Sequence, residues 1–426
     1  MKLIAKKSRL NGLVSIPGSK SHTIRAVAIA SLGKGESIVR KPLISSDTTA
    51  AVECYRALGA EIDTSDDLVW KITGTGGQVI IPQEVIDVGN SGTTLRVAMG
   101  SAALAGAGQT ISFTGDEQIQ TRPVGPLLDS LSELGAKAVS IEGNGKAPVA
   151  ITGRLKGGKT SIEAVTSQYL SSLLLCTPLC ELDTQIEVTL LNEPGYVQMT
   201  LDWLDKQGIE YENEEFKQFI VKGGQSYKAF DAVIPADFSS ATFFLCAAAL
   251  LGEEVTLAGL DFSDSQPDKA VVDYLKAMGA NIKVGTDSVT ISAARLKGAE
   301  IDMNQTPDAL PAMAVTAGFA EGKTRFYNVA QARSKETDRI KCMAVELKKL
   351  GIDVEELADG LIICGGKVKA GQLHGWADHR IVMALSLAGL AVEGQCSIDT
   401  AEAISVTFPE YVKLMKSIGA DIEMTD

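Results

Sequence analysis

The residues that a purely structural account leaves unexplained are hydroxyls, carboxylates and cations gathered at the starts of helices. PGSKSHTIR places Lys20, Ser21 and Arg25 at a first start, and GNSGTTLR places Asn90, Ser91, Gly92 and Thr93 at a second. TSQ supplies Thr166, Ser167 and Gln168 at a third, PDA supplies Asp308 at a fifth, and DHR supplies Asp378, His379 and Arg380 at a sixth. Two more clusters open other helices: QTRPVG with Arg122, and RSKETDR with Lys335, Glu336 and Arg339. A helix start offers unpaired N–H groups and a partial positive charge, so it accepts phosphate or carboxylate, and a glycine there admits close backbone approach. Lys and Arg add charge-assisted bonds, Arg with a two-pronged grip on planar anions. Several such ends converging make a site for small anions, in which Asp308 and Glu336 are the groups able to move protons.

Each residue also has a plainer reading. Ser21, Ser91, Ser167 and Asp378 serve equally well as N-caps. Gly92 can be a turn residue, and Arg96 and Arg333 can be structural ion-pair partners. His22 and His374 lack metal-ligand spacing and default to satisfied or surface positions. His379 differs because DHR opens a buried helix beside Arg380. There is no P-loop lysine motif, no GxSxG and no HExxH, and neither a metal nor another cofactor is expected.

The elements that must position these residues repeat. LGAEI, LGAKA, QGIEY, MGANI, LGIDV and IGADI place Gly59, Gly135, Gly208, Gly279, Gly351 and Gly419 at intervals of 76, 73, 71, 72 and 68. Each follows a stretch of helical periodicity, which reads as an amphipathic helix, a left-handed C′ glycine and then a strand. A second helix recurs out of phase, starting at Ser21, Ser91, Ser167, Ser239, Asp308 and Asp378, and is apolar nearly all round. Such helices belong inside a layer of other elements. GESIVRKPL, QTISFTG, QIEVTLL, EEVTLAGL, KTRFYNV and QCSIDT follow them as strands, so the chain is α/β, six units in two domains of three.

A chain of 426 residues is too long for one core, and 45% apolar with 22% charged residues is ordinary for a folded globular protein. Apolar runs such as Tyr169 to Cys176 fall well short of the roughly 20 residues a membrane span needs. The first residues lack a signal-peptide apolar region and read as a strand. Seven scattered cysteines read as free core thiols in a reducing compartment, so a cytoplasmic location is expected. A net charge of −13 with 5% aromatics opposes nucleic-acid binding. Anionic ligands must therefore find their positive partners locally.

PGSKSHTIR, GNSGTTLR, TRPVG, TSQYL, TPDA, RSKETDR and ADHR, in this order and over essentially the whole chain, resemble the 5-enolpyruvylshikimate-3-phosphate synthase family of enolpyruvyl transferases. The resemblance implies a two-domain inside-out α/β barrel with three βαβαββ units per domain and the active site in the cleft between them. The first strand then belongs with the second half of the chain. Residues 14–234 would form the shikimate 3-phosphate side, and residues 1–13 with 235–426 the phosphoenolpyruvate side, with crossovers near Leu13 to Pro17 and Phe230 to Ala236.

The implied reaction transfers the enolpyruvyl group of phosphoenolpyruvate to the 5-hydroxyl of shikimate 3-phosphate and releases phosphate. Carried over by motif, Lys20, Asn90, Gly92, Arg122, Gln168, Arg339, His379 and Arg380 would surround phosphoenolpyruvate. Ser21, Arg25, Thr166, Ser167, Tyr196, Asp308, Gln331 and Lys335 would hold shikimate 3-phosphate. Asp308 would draw the proton from the 5-hydroxyl, Glu336 would exchange one with the methylene carbon, and Lys20 would assist phosphate departure. The expected partners are these two small molecules alone, with no nucleic acid and no membrane, and the chain is expected to act as a monomer.

The chain departs from the family pattern in places. Glu193 to Tyr196 reads Glu-Pro-Gly-Tyr where the family commonly has Ser-x-Pro-Tyr, exchanging a hydroxyl for an acid. Val406 precedes Thr407 where some members carry Lys, Val97 stands where many have Pro, and Thr166 replaces a common Ser. Gly92 is retained, which the resemblance links to binding of the inhibitor glyphosate. The nearest rival, UDP-N-acetylglucosamine enolpyruvyl transferase, uses a cysteine in the loop equivalent to Thr114 to Pro123, and none lies there. A transferase with another acceptor and a non-catalytic repeat scaffold are the remaining readings; the scaffold does not account for Asp308 and Glu336 among cations.

Overall fold

A computed structural model describes all residues, Met1–Asp426. Twelve helices alternate between two kinds. α1 (Lys20–Leu32), α3 (Gly92–Ala102), α5 (Ser167–Cys176), α7 (Phe238–Leu251), α9 (Leu310–Gly318) and α11 (His379–Ala391) are buried almost all round. α2 (Ser46–Ala57), α4 (Gly125–Glu133), α6 (Pro194–Gln207), α8 (Val271–Ala277), α10 (Arg339–Lys349) and α12 (Tyr411–Ser417) bury one face. The second set ends at the six repeat glycines, all at positive φ between 69° and 110°, which a side chain adopts only with strain.

The chain forms two compact units, one of Met1–Pro17 with Pro235–Asp426 and one of Gly18–Ile234. A boundary after residue 13 would cut the strand Leu10–Ser15, whose pairing continues to Ser15, so the first crossover lies later. Each unit has its own apolar core. In Gly18–Ile234 the core is built around α1, α3 and α5, and in the other unit around α7, α9 and α11. Close helix approach depends on small residues. A Cβ on Gly100 of α3 would stand 2.6 Å from the Ser172 hydroxyl of α5, which itself donates to the Arg96 carbonyl at 2.6 Å.

Six four-stranded sheets share one plan, a parallel pair followed by two antiparallel additions. Gly158–Ala164 and Thr184–Leu191 run parallel on either side of α5 in the chain; Gln218–Val221 and Tyr211–Glu214 then add antiparallel after α6, giving βαβαββ. Two leading strands are exchanged. Leu10–Ser15 precedes α1 yet pairs with Gly252–Ala258, and Asp231–Val233 precedes α7 yet pairs with Lys34–Arg40. Lys2–Lys6 lies between Gln395–Ile398 and Asp421–Thr425, with Lys2 opposite Thr425. All seven cysteines are unpaired thiols, and no helix is long and apolar enough to cross a membrane.

Four of the six expected N-caps lie slightly off, Ser167 among them, since Thr166 holds the N-cap position of α5. α1 is capped by Ser19, whose hydroxyl accepts from His22 N, not by Ser21. α7 is capped by Asp237, not Ser239; its carboxylate accepts from Ser239 N at 3.1 Å and from the Ser240 hydroxyl at 2.9 Å. Asp308 sits within a 3₁₀ turn, Pro307–Ala309, ahead of α9. For α1 and α7 the better-placed oxygen lies outside the first apolar residue, as cap geometry requires, whereas α9 has no side-chain cap bond.

Backbone proximity sets one stability prediction. A Cβ on Gly298 would lie 2.1 Å from the Lys323 carbonyl oxygen, which belongs to a paired strand and cannot yield, whereas one on Gly12 would meet open space at φ +111°. Denaturant unfolding should show Gly298→Ala destabilised by about 2–4 kcal/mol, against about 1 kcal/mol for Gly12→Ala; equal losses would refute the packing argument.

Candidate active site

In Gly18–Ile234 the start of α1 brings Lys20 to the first turn of α2, where its Nζ pairs with Asp47 Oδ2 at 3.0 Å in a largely buried contact. Ser21 follows Lys20, and its carbonyl accepts from Arg25 Nη1 at 3.0 Å. Arg25 is buried and donates through Nε to the Thr200 hydroxyl at 2.9 Å and through Nη2 to the Tyr196 carbonyl at 2.8 Å. Nε and Nη2 thus fasten α1 to α6 while Nη1 bonds within α1, and burial pulls the pKa down to about 10 against the opposing effect of Tyr196. Arg25 shapes this region by tying down the first turn of α6. His22 is satisfied in the core, its Nδ1 accepting from Trp203 Nε1 at 3.0 Å.

The second start assembles Asn90, Gly92, Arg122 and Gln168 around a residue whose role the sequence left open, Arg96. Ser91 caps α3, and Gly92 opens it with no side chain because two guanidinium groups lie there: a Cβ would stand 2.5 Å from Arg96 Nη1 and 2.7 Å from Arg122 Nη1. Arg96 donates to Gln168 Oε1 at 2.9 Å, and Gln168 Nε2 donates to the Thr93 hydroxyl at 3.1 Å. Arg122 reaches Asn90 Oδ1 at 3.4 Å, while Asn90 Nδ2 is held by Asp116 and Gln118 at 2.6 and 2.7 Å. Two cations converging on a helix start make a seat for an anion.

At the third start, Thr166 occupies the N-cap position of α5 without a side-chain capping bond. The capping oxygen comes instead from Glu193. Its Oε2 accepts from the Ser167 hydroxyl at 2.8 Å and stands 3.4 Å from Ser167 N and 3.5 Å from the Thr166 hydroxyl. Tyr196 lies one turn into α6, beside Glu193 in the chain.

The other unit holds a cluster of carboxylates and cations. Arg339, the first residue of α10, is 1% exposed and surrounded by three carboxylates. Nη1 donates to Asp308 Oδ1 at 2.7 Å, Nη2 to Glu336 Oε2, and Nε to Asp378 Oδ2 at 2.8 Å. Arg380 adds an ion pair to Asp308 Oδ2 at 3.0 Å. Burial alone would raise the Asp308 pKa, but Arg380, Lys335 and Arg339 outweigh it and hold the carboxyl well below the usual range. Asp378, 0% exposed, follows the same logic with Arg339 as counter-charge, and its Oδ1 caps α11 by accepting from Arg380 N at 2.9 Å. Lys335 ends the 3₁₀ turn Ala330–Ser334, in which Gln331 anchors to the Asn304 carbonyl at 2.8 Å. Arg333 is structural, bridging Asp338 and Glu356 at 2.7 and 2.9 Å.

His379 is buried, with no partner for its Nε2, and burial lowers its pKa to about 3 despite the raising effect of Glu336. The neutral ring therefore stands beside the cluster with an unused polar atom. The backbone leading to it is strained, with Trp376 and Ala377 at φ +58° and +51°. Buried Glu346 holds that loop by accepting from Trp376 Nε1 and His374 N, both at 3.0 Å, and Asp399 holds His374 Nδ1 at 2.7 Å and Gly375 N at 2.8 Å. Asp47, Glu346 and Asp399 carry no sequence motif; their positions beside Lys20, Trp376 and His374 are set by tertiary packing.

Within each unit, then, the expected residues are neighbours: Lys20, Ser21 and Arg25; Asn90, Gly92, Arg122 and Gln168; Thr166, Ser167 and Tyr196; and Asp308, Glu336, Arg339 and Arg380 with Lys335, Gln331 and His379 nearby. Such sets can grip carboxylates and phosphates and place ionised carboxyl groups among cations. No group of three or more His, Cys, Asp or Glu side chains is placed to hold a metal ion.

A family model described as EPSP synthase (3-phosphoshikimate 1-carboxyvinyltransferase) matches residues 4–415. The chain is 55% identical over 422 residues to a 3-phosphoshikimate 1-carboxyvinyltransferase of Acetivibrio thermocellus, covering 99% of each. It is 52% identical to one from Ruminiclostridium cellulolyticum, covering all of both chains. Among solved structures, an EPSP synthase from Acinetobacter baumannii superposes with a TM-score of 0.83 at 27% identity, again over the full length of both.

The His379 environment gives a pH prediction. The unfolded chain binds a proton near pH 6.5 and the folded chain only near pH 3, so the unfolded state holds more protons between these values and stability falls as pH drops through that window. Denaturant unfolding from pH 6.5 to 4 should show up to about 1.4 kcal/mol lost per pH unit from this group, a component absent from His379→Gln. Parallel curves for the two proteins would overturn the assignment.

Proposed function

The chain belongs to the EPSP synthase (3-phosphoshikimate 1-carboxyvinyltransferase) family and is an enolpyruvyl transferase of the shikimate pathway, and from that premise we propose how its residues divide the reaction. The observation carrying this reading is the buried cluster in which Asp308 and Glu336 both contact Arg339. Carboxylates held among cations are what a reaction of addition followed by elimination, run on polyanions, requires.

Asp308 takes the proton of the shikimate 3-phosphate 5-hydroxyl as that oxygen bonds to C2 of phosphoenolpyruvate, and the methylene carbon gains a proton from Glu336, which enters this step as the carboxylic acid and leaves it as the carboxylate. The tetrahedral adduct then returns a methyl proton to Glu336 while the C–O bond to phosphate breaks, assisted by Lys20. Asp308 is a weak base while Arg380, Lys335 and Arg339 all stabilise its charge. Anionic substrates draw those cations toward themselves, so the same carboxylate becomes more basic as the site fills.

Phosphoenolpyruvate is assigned to Lys20, Asn90, Gly92, Arg122, Gln168, Arg339, His379 and Arg380, with Arg96 added as the second guanidinium over Gly92. Shikimate 3-phosphate is assigned to Ser21, Arg25, Thr166, Ser167, Tyr196, Asp308, Gln331 and Lys335. Arg25 contributes to the seat chiefly by fixing Tyr196. This reading takes the protein to be cytoplasmic, in keeping with its unpaired thiols, and to act as a monomer.

Phosphate release with both substrates, and its loss when either is omitted, tests the activity. Glu336→Gln should lower kcat by roughly 10²–10⁴-fold with native folding; full turnover would remove Glu336 from the mechanism. Gly92→Ala pushes only the ends of two flexible side chains, so folding should persist while KM for phosphoenolpyruvate rises by about tenfold or more; an unchanged KM would separate Gly92 from that substrate.

A further inference from the structure

We propose that Glu193 sets the affinity for the acceptor's phosphate, because its carboxylate occupies the seat that the phosphate takes. The inference rests on the reading that Thr166 and Ser167 hold the phosphate of shikimate 3-phosphate. Glu193 is 2% exposed, and its Oε2 accepts from the Ser167 hydroxyl at 2.8 Å, with Ser167 N at 3.4 Å and the Thr166 hydroxyl at 3.5 Å. Those three donors are the ones a phosphate would use. A carboxylate oxygen and a phosphate oxygen make the same demand on them, and two anions cannot share one small set of donors without strong repulsion.

The arrangement is built into the fold. α5 lacks a capping bond from its own N-cap residue, and Glu193, which lies 26 residues after Ser167, supplies one. Its backbone is held at φ 60° and ψ 47°, a left-handed conformation that costs a non-glycine residue energy. Pro194 follows, and Arg25 fixes the carbonyl of Tyr196 one turn on. The backbone is thereby braced while the side chain keeps its rotatable bonds, so the carboxylate can swing off Ser167 without displacing α6. Binding of the acceptor is then an exchange of one anion for another at the α5 start. An acceptor without the phosphate needs no such exchange, so Glu193 weakens only the phosphorylated ligand.

Equilibrium binding of shikimate 3-phosphate and of shikimate to the full-length protein tests this, with wild type, Glu193→Gln and Glu193→Ser compared. Gln keeps the shape and a carbonyl oxygen but removes the charge, and Ser removes the reach to Ser167. Both variants should bind shikimate 3-phosphate roughly tenfold tighter, the relief expected when a like charge is withdrawn, with shikimate affinity unchanged. Unaltered or weaker shikimate 3-phosphate binding by a variant with a native melting transition would overturn the proposal, as would an equal gain for shikimate. Should Gln fold poorly, Ser alone decides by the same criterion. If wild type binds shikimate 3-phosphate no better than shikimate and releases no phosphate with phosphoenolpyruvate, the functional reading itself fails, which is a separate result.

Discussion

A cation kept inside a protein must be paired with a counter-charge or met by hydrogen-bond acceptors, since an unmatched buried charge costs several kcal/mol. That constraint organises both units. Lys20 at the start of α1 is met by Asp47 of α2, and Arg339 at the start of α10 is met by Asp308, Glu336 and the α11 cap Asp378. Asp47, Asp308 and Asp378 come from neighbouring elements, so these pairs also fasten one helix start to the next. A protein that handles anions with a net charge of −13 is then no contradiction. Its acids hold Lys20, Arg339 and Arg380 in place, while Arg25 is held by neutral oxygens.

The sixfold plan explains why so many helix starts can be specialised without disturbing the fold. Every sheet has the same strand order, and every buried helix is packed along its length by apolar and small side chains. The specialised residues gather in its first two turns. α3 has Gly92 there beneath two guanidinium groups, α5 has hydroxyls capped by a distant acid, and α11 has a strained entry held by Glu346 and Asp399.

The repeat and its helices were legible because spacing and apolar pattern are local properties. Gly59 through Gly419 mark the helix ends in the chain itself, and all six adopt the positive φ that the pattern implies. The clusters at helix starts were legible too, as residue types without an evident structural use. Cap identity was less so: PGSKS offers serines at 19 and 21, and only the turn into α1 selects the first. Partners distant in sequence were not legible at all. Nothing near Lys20 points to Asp47, only the resemblance and no local pattern set Glu193 apart, and Arg96 could be read as an ion-pair residue until Gln168 and Gly92 were placed beside it.

The pairing of Lys2 with Thr425 carries its own consequence. With those ends side by side as antiparallel strands, a short peptide joining them would be an ordinary hairpin turn, and the polypeptide would become a closed ring of six modules. In such a ring no module is first. New ends could be opened at an exposed turn between modules with every sheet intact, so the order in which the modules are translated is a historical choice that the folded architecture does not require.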